Sequence, residues 1–217
     1  MNNKYKNRIK STIDILQYEI KCYLSMFIGR IKIIAYFDSQ KQNKLEIGAG
    51  KTRKTGFITC DLSPRSHFPF DLRAGLPFPD RSIDFLYAEH VFEHFAYKEL
   101  VTLLSDCYRV LKPNGVISIS VPDPNLYIDA YKNNIELNLD TYAKHKFGLT
   151  FKSKIDYLNH IFYLDGQHRY MFDAASLQNL LLDSGFTSVR IRNFDSNIDQ
   201  EIRKDLSIYA DARKVND

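Results

Sequence analysis

A glycine turn follows the first apolar run of the chain's α/β-patterned part, in the stretch LEIGAGKT at residues 45–52. Its ending, Gly-Lys-Thr, is shared with the ATP-binding P-loop, but that motif also requires a glycine where this chain has Leu45. A dinucleotide fingerprint requires a third glycine where this chain has Arg53. Gly48 and Gly50 therefore indicate a tight turn, and on their own they leave open whether that turn binds a ligand.

Carboxylates stand near this turn, at the ends of predicted strands. Glu46 lies two residues before Gly48, where it could orient a cationic group of a ligand. Asp61 ends the next strand, where a carboxylate can accept both hydroxyls of a ribose. Asp71 follows a third short strand. Together these residues describe a site for an adenosine that carries an amino-acid tail. The structural alternative for Asp61 and Asp71 is that they cap helices or turns.

A histidine motif follows the fourth predicted strand, in AEHVFEHF at residues 88–95. The order His90-x-x-Glu93-His94 is that of inverzincin metalloproteases, and we expect His90 and His94 to share a helix face, which suits zinc. Proteolysis is disfavoured, because the motif follows a buried strand and no separate third ligand is apparent. We predict no metal site but leave open whether these side chains bind a divalent ion. The motif either begins a helix, with His94 packed inward, or faces an acceptor with His90 as base.

A second histidine, His168, lies in DGQHRYMFD at residues 165–173. It is a further candidate for the base, and its structural alternative is to cap the next helix. It lies near the end of a segment at about residues 123–172, which we interpret as an insertion that caps an acceptor site. The aromatics of this segment could stack on a sugar or an apolar acceptor, or form the cap's own core. They are Tyr127, Tyr131, Tyr142, Phe147, Phe151, Tyr157, Phe162 and Tyr163, and the segment also holds His145 and His160.

Strands and helices alternate from residue 45 onward. A helix with apolar positions from Leu100 to Leu111 is expected to end at KPNG, where Pro113 cannot continue it. A later helix is expected to begin at Asp173 and end at Gly185. The alternation predicts an α/β fold: a Rossmann-like, doubly wound, mostly parallel sheet of seven strands. The predicted strands are 44–48, 56–62, 67–72, 82–88, 116–121, 187–194 and 205–212.

Residues 1–40 differ from the rest, because their apolar residues recur at steps of three and four among many Lys and Arg residues. The pattern predicts a basic amphipathic helix, followed by a polar linker at residues 38–44. The helix either packs on the domain at residues 41–217 or rests on anionic lipid or a partner protein. We expect a cytoplasmic protein, possible contact with the inner membrane through residues 1–40, no signal peptide, and no spanning segment.

Composition narrows the function classes further. The chain has 217 residues and a net charge of +4, which without a clustered basic patch does not argue for nucleic acid. Its three cysteines, Cys22, Cys60 and Cys107, form no CxxC pair, so neither a disulfide framework nor a zinc knuckle is indicated.

Five stretches together resemble the type-11 class I S-adenosylmethionine-dependent methyltransferases, and more closely the bacterial members linked to surface-polysaccharide synthesis. The stretches are LEIGAG, FITCDLS, DLRAGLPFPDRSIDFLYAEHVFEHF, RVLKPNGVISISVPD and HRYMFDAASLQNLLLDSGFTSVRI, and the resemblance covers about residues 44–193. It implies a site for S-adenosylmethionine. Around its methionine part would lie Glu46, Gly48, Ala49, Gly50, Ala88 and Glu89, and around its adenosine Asp61, Leu62, Asp71 and Leu72.

The resemblance also implies the reaction, which is methyl transfer to oxygen on a saccharide or another cell-surface precursor. His90, His94 and His168 are the candidate catalytic residues, and a small molecule or glycan is the expected acceptor. Two alternatives are kept. One is an NAD-dependent oxidoreductase on a related sheet, against which the missing third glycine counts. The other is a non-catalytic nucleotide-binding partner of a glycosyltransferase complex, docked through the N-terminal helix.

Overall fold

A computed structural model describes residues 3–36, 43–50, 54–137 and 151–216 of the chain. Seven strands form one sheet; they are β1 Lys44–Ile47, β2 Ile58–Asp61, β3 Phe68–Pro69, β4 Ile83–Glu89, β5 Leu111–Pro122, β6 Thr187–Arg192 and β7 Ser207–Arg213. The sheet order is β3-β2-β1-β4-β5-β7-β6. The five strands from β3 to β5 pair in parallel, and β7 runs antiparallel to both of its neighbours. The predicted mostly parallel seven-stranded sheet is confirmed.

Helices cover the sheet; within the described ranges, those of at least nine residues are α1 Asn3–Tyr36, α2 Tyr97–Val110, α3 Pro124–Lys132, α4 Ile155–Tyr163 and α5 Ala174–Asp183. The apolar face of α2 is buried in the main core through Leu100, Leu103 and Leu104, at the spacing of one helix face. The helix ends at Val110, three residues before Pro113, as expected from a residue that cannot continue a helix. Helix α5 begins as predicted, since the Asp173 carboxylate accepts a hydrogen bond from the backbone of Ser176.

The register of the central strands sets the position of the site. Ile47 lies opposite Cys60 on β2 and opposite Ala88 on β4. The residues that follow, Asp61 and Glu89, therefore flank the glycine turn from both sides. The carboxyl ends of parallel strands form the edge where open α/β sheets bind ligands, so the fold brings the predicted residues to one edge.

The predicted N-terminal helix is confirmed as α1, which packs against the edge strand β3. Among the side chains of α1 whose burial is described, Cys22 and Ile33 are buried. Most of its other apolar side chains are exposed, as in Leu24, Phe27 and Ile31. In the part of the chain that the structure describes, no helix combines the length and apolar character needed to cross a membrane.

The segment after β5 forms a small cap from α3 and α4. Tyr127 and Tyr157 are buried in a separate apolar cluster, with Phe151 and Phe162 packed against it. These aromatics therefore belong to the cap's own core, whereas Tyr163 is exposed. Three further residues of the predicted insertion, Tyr142, His145 and Phe147, lie outside the described residues.

Candidate functional site

The glycine turn after β1 is tightly constrained. Gly48 and Gly50 have φ angles of +67° and +61°, which L side chains rarely adopt. A Cβ atom built on Gly48 would stand 2.3 Å from the Val91 Cγ2 atom, whereas one on Gly50 would meet no described residue beyond its chain neighbours within 4 Å. The Gly48 amide donates to the Cys60 carbonyl oxygen over 2.8 Å. Only glycine fits position 48 without displacement, and the turn is held close to β2.

Asp61 is bound directly to this turn. One carboxylate oxygen accepts a hydrogen bond from the Gly50 amide over 3.1 Å, and the other accepts from the Ser63 amide over 2.6 Å. The side chain is thus oriented by backbone amides on both sides. Its remaining lone pairs can still accept hydrogen bonds from ligand hydroxyls, because a carboxylate offers about four acceptor positions.

A cavity of about 520 Å³, the first cavity, opens between the glycine turn and α1. The predicted residues on its border are Gly48, Asp61, Leu62, Asp71 and Leu72. Its volume is within the range of small-molecule sites. The structure therefore brings the predicted adenosine residues around one space.

Asp71 has a protein partner that the sequence did not predict. The Arg73 guanidinium contacts both of its carboxylate oxygens, with the shortest distance 2.6 Å. Burial tends to raise the pKa of Asp71, but the hydrogen bonds and charge of Arg73 outweigh it, so the pKa is lowered. Arg73 also reaches the Glu19 carboxylate on α1 over 3.3 Å, and Tyr18 from the same helix borders the first cavity. The N-terminal helix is therefore one wall of the candidate site.

A second cavity, of about 530 Å³, adjoins the first. The predicted methionine residues on its border are Glu46, Gly48, Ala49, Gly50 and Glu89. Gly48, His90, His94 and Gln167 border both cavities. The Ala88 side chain is fully buried within β4, so it supports the site from inside the sheet.

A lysine links the two glutamates of the second cavity. The Lys54 ammonium lies 3.2 Å from Glu46 and 3.4 Å from Glu89, and 3.9 Å from the centre of the Tyr87 ring. Burial raises the pKa of Glu46, and the charge of Lys54 opposes that rise. One oxygen of Glu46 has no hydrogen-bond partner among the described residues. This corner of the site holds a cation between two buried carboxylates.

His90 and His94 do not share a helix face, contrary to the sequence-based expectation. His90 has a left-handed φ of +53°, and Phe92–His94 form a 3-10 turn before α2 begins at Tyr97. Both side chains nevertheless border both cavities. A ring nitrogen of His90 lies 2.7 Å from the Ser207 hydroxyl.

His168 borders the second cavity and contacts His94, with ring centres 5.1 Å apart. Its Nδ1 atom is 2.6 Å from the Ile161 carbonyl oxygen. Burial lowers the pKa of His168, although that hydrogen bond opposes the shift. The ring is therefore held neutral beside His94 rather than at the start of α5, whose cap is Asp173.

Glu93, between the two histidines of its motif, is fully buried. Burial raises its pKa to about 8. Neither carboxylate oxygen has a hydrogen-bond partner in the described parts of the chain. Glu93 was not among the predicted site residues, although His90 and His94 of the same motif were.

Comparison with known proteins supports a methyltransferase domain. Residues 45–119 match the model of a type-11 family described as "Methyltransferase domain". A protein of Mycolicibacterium smegmatis, named as a probable S-adenosylmethionine-dependent methyltransferase, is 38% identical over 64 residues. That alignment covers 27% of this chain and 24% of the relative, so the chain matches about a quarter of the relative's length.

Among solved structures of methyltransferases, one reaches a TM-score of 0.50 and supports the fold. A methyltransferase structure from Methanosarcina mazei has a TM-score of 0.50 at 15% identity, covering 85% of this chain and 98% of that chain. Another from Archaeoglobus fulgidus has a TM-score of 0.48 at 18% identity, covering 86% and 93%. Residues 45–119 are thus similar to a methyltransferase domain, and the predicted Rossmann-like fold is confirmed.

Proposed function

We propose that the protein is an S-adenosylmethionine-dependent methyltransferase. The observation that carries this proposal is the shared border of the first cavity. Gly48, Asp61 and Asp71 come from three separate stretches of the chain and meet around one space of about 520 Å³. That space continues into a second cavity bordered by Glu46 and Glu89.

The two cavities suit the two halves of the donor. The ribose hydroxyls would donate to Asp61, while Leu62 and Leu72 would flank the adenine ring in the first cavity. Asp71 would meet the adenine amino group, sharing its carboxylate with Arg73. The methionine part would extend past the Gly48–Gly50 turn into the second cavity.

The donor's ammonium group would lie at the paired glutamates. Lys54 now holds a positive charge 3.2 Å from Glu46 and 3.4 Å from Glu89. A buried pair of carboxylates needs such a charge, because unpaired ionised groups are costly to bury. A bound ligand can supply the charge in place of Lys54, so the lysine marks the expected position of the ligand's ammonium. Ala88, which precedes Glu89 and is buried in β4, would support this pocket by fixing the strand that carries Glu89.

The reaction follows from the donor's chemistry. A lone pair of the acceptor oxygen forms a bond to the methyl carbon, the carbon–sulfur bond breaks, and its electron pair stays on sulfur. The acceptor hydroxyl proton passes to a base, for which histidine is suited near neutral pH. His90 is the proposed base, because it borders both cavities and so lies where donor and acceptor would meet. Catalysis then depends mainly on alignment and on excluding water.

The acceptor is proposed to be a saccharide or a related cell-surface precursor, methylated on oxygen. The cap of α3 and α4 supports a bulky acceptor, since Tyr127 from the cap borders the second cavity with His160. His94 and His168 border the same space as further candidate catalytic residues. Incubating the protein with methyl-labelled donor and a panel of sugar, lipid-linked sugar and phenolic acceptors tests this. Label in sugar hydroxyls supports the acceptor class, and label only in phenols or amines contradicts it.

Calorimetric titration tests the donor. We expect S-adenosylmethionine and S-adenosylhomocysteine to bind with one-to-one stoichiometry and NAD not to bind. Asp61→Asn should weaken binding, while Asp183→Asn, on the exposed end of α5, should leave it unchanged. Binding of NAD without binding of either sulfur compound would favour the oxidoreductase alternative instead.

The exposed face of α1 is proposed to rest on anionic lipid, which would place the protein at the inner face of the membrane. Leu24, Phe27 and Ile31 are exposed there, and Lys10 and Lys21 on the same helix are exposed cations. We expect co-sedimentation with vesicles containing phosphatidylglycerol and not with neutral ones.

Substitutions distinguish vesicle binding through this face from non-specific apolar binding. The double variant Leu24→Ser/Phe27→Ser should lose vesicle binding. Ile202→Ser, at an exposed apolar position outside α1, should keep it. Equal sedimentation of all three proteins would refute the lipid contact.

A further inference from the structure

Three side chains beyond the donor residues converge on one point at the second cavity. They are Glu93, His94 and His168. Each offers one atom that could bind a metal ion, a carboxylate oxygen or a ring nitrogen, and these atoms all lie within 4.8 Å of one another. The Glu93 Oε1 atom is 3.8 Å from the His94 Nε2 atom. Both histidines and the glutamate border the second cavity, so the point they share is reachable from it.

The backbone fixes which nitrogen of each ring faces this point. The His94 Nδ1 atom is 3.0 Å from the Gln167 carbonyl oxygen, and the His168 Nδ1 atom is 2.6 Å from the Ile161 carbonyl oxygen. A carbonyl oxygen only accepts, so each Nδ1 must carry the proton. In the neutral rings both Nε2 atoms therefore present lone pairs. Metal-binding histidines are oriented in this way by a hydrogen bond from their other nitrogen.

Glu93 would supply a negative charge once a bound cation replaced its proton. It is fully buried, and among the described residues neither of its oxygens has a hydrogen-bond partner. A buried carboxylate without donors is costly, since the desolvation of the charge is not repaid. Facing it with two imidazole lone pairs adds acceptors rather than donors. A positive charge among the three groups, from a proton or from a metal ion, would supply what the buried carboxylate lacks, and two facing lone pairs favour the metal ion.

We propose that Glu93, His94 and His168 form a binding site for a divalent transition-metal ion of the zinc class. Two imidazoles and one carboxylate are a known zinc ligand set that leaves a fourth position open. The nitrogen ligands favour zinc-like ions over magnesium, which prefers oxygen ligands. The open position would face the second cavity.

The geometry is close to that of a bound ion. Ligand bonds of about 2.0–2.2 Å at tetrahedral angles separate ligand atoms by about 3.4 Å. The Glu93–His94 separation of 3.8 Å is already near this value, and all three ligand atoms lie within 4.8 Å of one another, so small side-chain rotations would bring them to it. None of the three residues is assigned to the donor, so the metal site and the donor site can be tested separately; if the metal binds, His90 remains the candidate base.

Cobalt is the probe, because its visible absorption reports both binding and coordination. Protein treated with a chelator and freed of it is titrated with Co²⁺, and then with Zn²⁺ as competitor. We expect one equivalent of Co²⁺, an intense tetrahedral-type visible spectrum, and its loss on addition of Zn²⁺. Elemental analysis after gel filtration should give one zinc per chain.

Variants identify the ligands. Glu93→Gln and His168→Asn should each weaken binding at least about tenfold, the loss already typical of changes behind a metal ligand. His67→Asn is the matched control; His67 lies between β2 and β3, bonded to Thr59, and its loss should leave affinity unchanged. Circular dichroism checks that each variant is folded. Loss of cobalt affinity in one folded ligand variant is enough to show that its side chain binds the metal.

A different result would overturn the site. A featureless cobalt titration of the wild-type protein would mean that a proton, and not a metal, stands among these side chains. Unchanged cobalt affinity in folded Glu93→Gln or His168→Asn would place any bound metal elsewhere. Both outcomes leave the calorimetric test of the donor unaffected, because that test measures S-adenosylmethionine binding without added metal.

Discussion

Replacement of Gly48 by Ala tests the turn on which the donor site depends. A Cβ atom at this position would stand 2.3 Å from the Val91 Cγ2 atom and 3.0 Å from Cγ1, in a backbone with φ of +67°. A left-handed conformation costs a non-glycine residue about 1–2 kcal/mol. Overpacking against a buried side chain adds about 1–3 kcal/mol. Gly48→Ala should therefore lower the free energy of unfolding by about 2–5 kcal/mol.

Gly50 supplies the matched control, because it has nearly the same φ and, apart from its chain neighbours, no described residue lies within 4 Å of a Cβ atom added there. Gly50→Ala should cost only the conformational part, about 1–2 kcal/mol. Urea denaturation of both variants gives the comparison directly. A third protein, Gly48→Ala/Val91→Ala, removes the two γ-methyl groups that cause the clash. The coupling free energy of the cycle should be about 1–3 kcal/mol in favour of the double variant.

The reasoning fails on either of two results. Equal destabilisation by Gly48→Ala and Gly50→Ala would mean that Val91 does not limit the turn. A coupling free energy near zero would mean that the cost at position 48 has another origin.

Two further predictions concern buried charge. Lys54→Met should lower the free energy of unfolding by about 1–3 kcal/mol at pH 8 and by less at pH 5. Without the lysine, the already raised pKa of Glu46 rises further. Stability is then lost as the pH rises through that pKa, because the buried carboxyl must ionise. Arg73→Gln should cost about 1–2 kcal/mol at pH 7, allowing for the exposure of Arg73. Because Arg73 lowers the pKa of Asp71, this cost should shrink as pH falls below about 4. Urea titrations across pH measure both, and a pH-independent loss would contradict either.

The sheet was predictable because its signals are local. Apolar strands such as 116–121 and the helix through Leu100 and Leu104 show their periods within a few residues. The carboxylates were predictable for the same reason, since Asp61 directly ends its strand. Because these strands are parallel, their register is enough to place Asp61 and Glu89 beside the glycine turn.

The contacts that complete the site are long-range and have no local signal. Lys54 meets Glu89 across 35 residues of chain, and Arg73 meets Glu19 across 54. His94 meets the segment of His168 across 73 residues, at Gln167. The helix expected at His90 was wrong because the chain turns sharply there, with His90 left-handed, before α2 begins. A turn of that kind depends on the packing of Val91 and Phe92 in the core.

The structure of the protein bound to S-adenosylhomocysteine tests the central claim most directly. We expect the ribose hydroxyls at Asp61, the adenine between Leu62 and Leu72, and the ligand's ammonium within hydrogen-bonding distance of Glu46 or Glu89, with Lys54 displaced from between them. A ligand bound outside the two cavities, or one whose ribose does not contact Asp61, would contradict the proposed donor site.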